Sequence, residues 1–139
     1  MVLCTLCVKK INIMNPNSFE TKIAEICEMD SRYDPDAYFF LREGMEYTIN
    51  TMKKGVQQHL TGQEVSLGLK DYALSEFGPM ALFVLNEWGL HKTDDFGNLV
   101  YNLINAEVFS KTPTDKKEDF NNVFDFHDAF ARPYIPSEK

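Results

Sequence analysis

The sequence predicts a mostly α domain of the α+β kind: about five helices followed by a small β-hairpin, with a winged-helix-like second half. Three observations predict it. Apolar residues recur at helical spacing in five successive segments, each opened or closed by a capping residue. That period stops after Ala106, where short apolar stretches flank a turn that contains Pro113. The chain has 139 residues, 44% of them apolar, which suits one ordinary core without staples and is too hydrophobic for disorder.

The first helix is expected from Ser18 to Glu28. Phe19, Ile23, Ile26 and Cys27 share a face there, and Asn17 or Ser18 caps it. The second runs from Pro35 to Lys53. Asp34 is its N-cap, Pro35 takes the first helical position, and Tyr33 and Tyr38 flank the start as a staple. Its buried stripe is Ala37, Leu41, Met45, Thr48, Ile49 and Met52. The third opens with the capping box Thr61-Gly62-Gln63-Glu64, stapled by Leu60 and Val65, and stops at Gly78. Val65, Leu69, Tyr72 and Ala73 lie on one side of it and Leu67 and Leu74 on another, which predicts burial on two sides.

Pro79 starts the fourth helix. Its unbroken run Met80 to Leu85 predicts burial nearly all round, closed by Trp88 and Gly89. Thr93 caps the fifth, with Asp94 and Asp95 in the first turn and Phe96, Leu99, Val100, Leu103 and Ile104 facing inward. Beyond it, Val108 to Thr112 reads as extended, Pro113 to Lys117 as a turn, and Phe120 to Phe126 as the returning strand. Residues 1–13 read as a poorly ordered N-terminal extension, residues 14–130 as a single globular domain, and residues 131–139 as a C-terminal tail.

Charge narrows the partners. The formal net charge is −7, which repels phosphate backbones and anionic membranes alike. No apolar run approaches the ~20 residues that span a bilayer, and Lys9 and Lys10 follow the first apolar stretch where a secretory signal has its charges in front. Three cysteines leave one unpaired, so a reducing, cytoplasmic setting is the simplest reading.

Helix four, a short turn with Gly89, helix five and a hairpin together outline a winged helix-turn-helix, with Lys111, Lys116 and Lys117 as basic residues of the wing. A nucleic-acid-binding regulator would need these and Lys53 and Lys54 in one basic patch. The fifth helix argues against it. From Thr93 to Ala106 there is no Lys or Arg, and across residues 61–110 only Lys70 and Lys92 stand against Glu64, Asp71, Glu76, Glu87, Asp94, Asp95 and Glu107.

Motifs for chemistry are sparse. Cys4-Thr5-Leu6-Cys7 has no second ligand pair, and His59, His91 and His127 are too dispersed to write a metal site. His127 stands beside carboxylates in Phe126-His127-Asp128. An unrecognised enzyme would need a cleft that gathers these histidines with acids. Arg42, Glu43 and Glu46 read as a solvated face, and Asp34 with Asp36 as capping rather than a catalytic pair. There is no G-x-S-x-G, P-loop or G-x-G-x-x-G. No cofactor is expected. Phe120, Phe124, Phe126, Phe130 and Tyr134 make an aromatic end that either packs the hairpin onto the helices or anchors another protein.

The strings Asp30 to Gly44 (DSRYDPDAYFFLREG), Phe77-Gly78-Pro79-Met80-Ala81, Asp95-Phe96-Gly97-Asn98-Leu99-Val100 and the end Asp119-Phe120 through Val123-Phe124-Asp125-Phe126 resemble an uncharacterised bacterial family of small proteins, found mainly in planctomycetes, verrucomicrobia and chlamydia-like bacteria. The resemblance covers about Phe19 to Phe130. It implies no activity and carries over no site residues. The function expected from the residues is a non-catalytic protein-interaction or regulatory module whose partner is another protein.

Overall fold

Asp34, Thr61 and Asp95 each offer a side-chain oxygen to backbone amides at a helix start, and each of these helices stays where one face can be buried. The computed structural model describes residues 16–52, 60–109 and 116–134. Five helices stand out among them: α1 (Pro16–Met29), α2 (Pro35–Met52), α3 (Gly62–Phe77), α4 (Ala81–Glu87) and α5 (Thr93–Asn105). None is long and apolar enough to cross a membrane.

On α1, Phe19, Ile23 and Ile26 are buried, and the Phe19 ring meets Phe39 edge-on at 5.3 Å. At the start of α2 the Asp34 carboxylate accepts from the Asp36 N–H at 2.9 Å, which is the expected cap. Ala37, Tyr38, Phe40, Leu41, Met45, Thr48 and Ile49 form its buried stripe. The capping box of α3 is complete: Glu64 N–H donates to Thr61 Oγ1 at 3.1 Å, and Thr61 N–H donates to Glu64 Oε1 at 3.0 Å. Helices α2 and α3 then pack at close range. A Cβ on Gly68 would overlap Thr48, so only a bare backbone lets these two helices meet there.

Two expectations about burial fail for one reason. Leu67 is 44% exposed rather than covered on a second side of α3, and in the run Met80 to Leu85 only Ala81 and Leu85 are buried. Met80 and Phe83 are 54% and 59% exposed. The run is divided between a 3-10 turn (Gly78–Met80) and the two turns of α4, packed on α3 and on residues 127–131 from one side only. Apolar runs longer than a helical face bury only the residues that point at a neighbour.

The cap of α5 also differs. Thr93 is the first helical residue and is fully buried; its Oγ1 accepts from Val123 N–H at 3.0 Å. Asp95 does the capping instead, with Oδ2 accepting from the amides of His91 (2.8 Å) and Lys92 (3.2 Å).

The predicted hairpin is overturned. The described residues contain no strand, so the fold is all helical and not α+β, and the winged-helix-like second half is absent. The expected first strand lies partly outside the described residues; its described part, Val108 and Phe109, is a bend. Phe120 to Phe126, expected as the returning strand, is the end of a 3-10 turn (Lys117–Phe120) and an irregular stretch; a π-type turn (His127–Ala131) and a final 3-10 turn (Arg132–Tyr134) follow it. The physical reason is local capping. Asp119 Oδ2 accepts from Lys116 N–H (3.3 Å), Asp94 Oδ1 from Asn122 N–H (3.1 Å), and Asp125 Oδ2 from Asp128 N–H (3.0 Å). The Asn122 amide, and the Val123 amide that bonds Thr93 Oγ1, fall within the expected strand and are denied to a ladder, while the other two carboxylates fix the turns on either side. Asn122 also sits at φ 52, a left-handed turn conformation.

Candidate functional site

The aromatic end belongs to the interior. Phe120 and Phe130 are fully buried, Phe126 is 4% exposed and Phe124 is half-buried. Phe96 on α5 receives Phe126 at 5.5 Å and Phe124 at 6.4 Å, and Phe130 meets Phe126 edge-on at 5.1 Å. These rings hold the C-terminal turns to the helices and leave little aromatic surface for a partner. Tyr134 is 45% exposed at the last described turn. Of the three lysines assigned to a wing, Lys116 and Lys117 are exposed around the 3-10 turn and Lys111 lies outside the described residues. Without a hairpin there is no wing for them to form. Lys53, Lys54, His59, Cys4 and Cys7 also lie outside the described residues.

His91 and His127 are both exposed. Asp125, His127 and Asp128 bring ligand-type atoms within 4.8 Å of one another. Their carboxylates already have work: Asp125 caps the turn, and Asp128 pairs with Arg132 at 3.3 Å. The described cysteine, Cys27, lines an open cleft of about 460 Å³ with Arg32, Tyr33, Asp34, Trp88 and Gly89. Burial pushes its thiol up from the ordinary value, and Asp34 and Asp30 add to that, so it stays protonated rather than a thiolate nucleophile.

A polar network joins the α1–α2 loop to α5. Tyr33 Oη donates to Asp95 Oδ1 at 2.7 Å and accepts from Asn98 Nδ2 at 2.8 Å. Asn102 Nδ2 donates to Asp30 Oδ2 and to Tyr38 Oη, both at 3.0 Å. Arg32 grips Asp30 with Nε and Nη2 at 2.9 and 2.7 Å, which holds the Asp30 carboxyl well below the usual carboxylate range. Burial raises the Tyr33 phenol well above its ordinary value and pushes that of Tyr38 up to about 12. Each of these groups has partners within the fold, which marks the network as structural. Two of the three asparagines of α5 are thus accounted for: Asn98 bonds Tyr33, and Asn102 bonds Asp30 and Tyr38.

The face formed by α2 and α3 is different. Four rings of these two helices, joined by Trp88 from the end of α4, run along it in contact. Tyr47 meets Tyr72 at 5.3 Å, Tyr72 meets Phe40 at 5.6 Å, and Phe40 meets Phe77 at 6.1 Å and Trp88 at 5.5 Å; Phe77 and Trp88 are edge-on at 5.8 Å. Phe40 is buried in the middle, while Tyr47, Tyr72, Phe77 and Trp88 are half-buried. Helical spacing sets carboxylates beside the rings. Glu43 stands three residues after Phe40 and four before Tyr47, and Glu76 four after Tyr72. Both acids are exposed. Tyr72 Oη donates to Glu43 Oε1 at 3.1 Å. Burial, together with the negative charges of Glu43, Glu76 and Glu46, pushes the Tyr72 phenol up to about 12.

Sequence reading took Arg42, Glu43 and Glu46 for a solvated face and missed the rings between the acids. Arg42 in fact lies over the Phe19 ring at 4.4 Å. The missed signal is the heptad pair Phe40 and Tyr47 with Glu43 between them. It gains meaning only once α3 brings Tyr72 and Glu76 alongside. Comparison with family models, with curated proteins and with solved structures finds no match for this chain.

Proposed function

We propose that this chain is a non-catalytic, cytoplasmic protein-interaction module, and that its partner sits on the α2–α3 face. One observation carries the reading: a continuous row of half-buried rings, Tyr47, Tyr72, Phe77 and Trp88 around buried Phe40. Aromatic side chains dominate interface energetics when they are half-covered in the free protein and become fully covered in the complex. Met80 and Phe83 add exposed apolar surface on the segment that follows Phe77. Membership of the bacterial family that the sequence resembles is part of the same proposal.

The test is recovery of partners from native lysate with the tagged chain, after nuclease treatment, beside a Tyr47→Ala/Tyr72→Ala variant whose circular dichroism matches the parent. A near-stoichiometric protein held by the parent and lost by the variant supports the reading. A partner held equally by both, or nucleic acid as the main co-purifying species, overturns it.

A further inference from the structure

The row of rings is a π surface edged by negative charge, and that combination has a chemical complement. Cations bind over aromatic faces, and do so better where carboxylates reinforce the field. The fold already uses this contact elsewhere. Arg42 lies over Phe19 and Phe39, Arg32 over Tyr33, and Lys70 Nζ over Phe124 at 5.6 Å. Among the described residues, no such cation stands over Tyr47 or Tyr72, although Glu43 and Glu76 flank them.

We infer that the occupant of the α2–α3 face is a basic segment of a partner protein, with a Lys or Arg side chain seated against the Tyr47–Tyr72 pair and bracketed by Glu43 and Glu76. The inference rests on the interaction-module reading and adds the partner's chemistry. Charge complementarity argues for this occupant over a second copy of the chain, because two faces of the same sign repel. The net charge of −7 favours the same class of partner at long range, and the rings decide where it lands.

A labelled peptide of alternating Lys and Ala, and its counterpart with Gln in place of Lys, make the probes. Trp88 is the chain's single Trp and ends the row, so its fluorescence reports occupancy from the protein side. The specificity control is a pair of variants with equal charge change: Glu43→Gln/Glu76→Gln on the face, and Glu20→Gln/Glu28→Gln on exposed positions of α1. The expected result is saturable binding of the Lys peptide over the Gln peptide. Glu43→Gln/Glu76→Gln and Tyr47→Ala should each weaken it by at least about fivefold, and the α1 variant should not. Equal loss in both Glu variants would mean attraction by net charge alone and overturns the inference. So does equal binding of the two peptides, or none. If a lysate partner still depends on Tyr47 and Tyr72 while the Lys peptide fails, this inference falls and the interaction reading stands. If that dependence is missing too, both fall.

Discussion

The Tyr33 hydroxyl donates to Asp95 at 2.7 Å across 62 positions of sequence, and the same Asp95 carboxylate caps α5 through His91 and Lys92. One side chain thus starts a helix and ties it to the α1–α2 loop. Around it, Asp34 N–H donates to the Trp88 carbonyl at 3.1 Å, and Gly89, at φ 92, brings its backbone against the Arg32 carbonyl. Tyr33 stands in the loop before α2, and Asp95 and Asn98 stand on α5. In the fold they are one contact.

Tyr33→Phe removes a hydroxyl that is both donor and acceptor while its ring stays buried. Asp95 and Asn98 then each lose a partner, which costs about 1–3 kcal/mol. Urea denaturation measures the loss. A cycle with Asn98→Ala should show coupling, because the two residues share one hydrogen bond. Additive losses would mean that the network is not a unit.

Gly68→Ala forces α2 and α3 apart at Thr48, since the new methyl would overlap the Thr48 side chain. Overpacking of this kind costs about 1–3 kcal/mol, more than the helix propensity gained from Ala. Thr48→Ala should recover part of it by making room. A single Gly68→Ala variant as stable as the parent would contradict the close helix approach.

Phe130→Ala should destabilise by about 3–5 kcal/mol, the range for emptying a core aromatic site. Phe83→Ser, on the exposed side of α4, should change stability by no more than about 0.5 kcal/mol. Thermal unfolding of the two variants distinguishes a packed aromatic end from an exposed one.

Strongly alkaline pH should destabilise the protein. Tyr38 and Tyr72 are pushed up to about 12 in the fold and Tyr33 is raised further, against about 10 when unfolded. A raised folded value gives stabilisation that is full below the unfolded value and lost as pH climbs through the folded one. Stability should therefore hold to about pH 10 and decline steadily toward about pH 12, read by denaturant midpoints beside phenolate absorbance. Replacing Tyr38 with Phe should flatten that decline.

Some of this was written in the chain. The capping box at Thr61 and Glu64, the Asp34-Pro35 start, the stop at Gly78 and the apolar stripes of α1, α2 and α5 are local features. Propensity, capping and periodicity act within a turn or two, so single residues suffice to place them. Thr93 misled because a Ser or Thr before an apolar stripe looks like a cap whether or not another segment needs its oxygen. Asp95 took the cap, and Thr93 was left to hold Val123.

The sequence by itself determined five helical segments, an acidic chain and an interior rich in Phe, because each follows from composition or from neighbours along the chain. Tertiary structure decided the rest. After Ala106 the aromatic spacing fits a strand or a set of turns equally well, and the choice fell to Asp94 and Thr93, which take up the Asn122 and Val123 amides and deny them to a ladder, with Asp119 and Asp125 fixing the turns on either side. The α2–α3 row was equally out of reach of sequence reading. Phe40, Glu43 and Tyr47 lie on one helix and Tyr72, Glu76 and Phe77 on another. Only the packing of two helices across Gly68 turns separate half-buried rings into one surface.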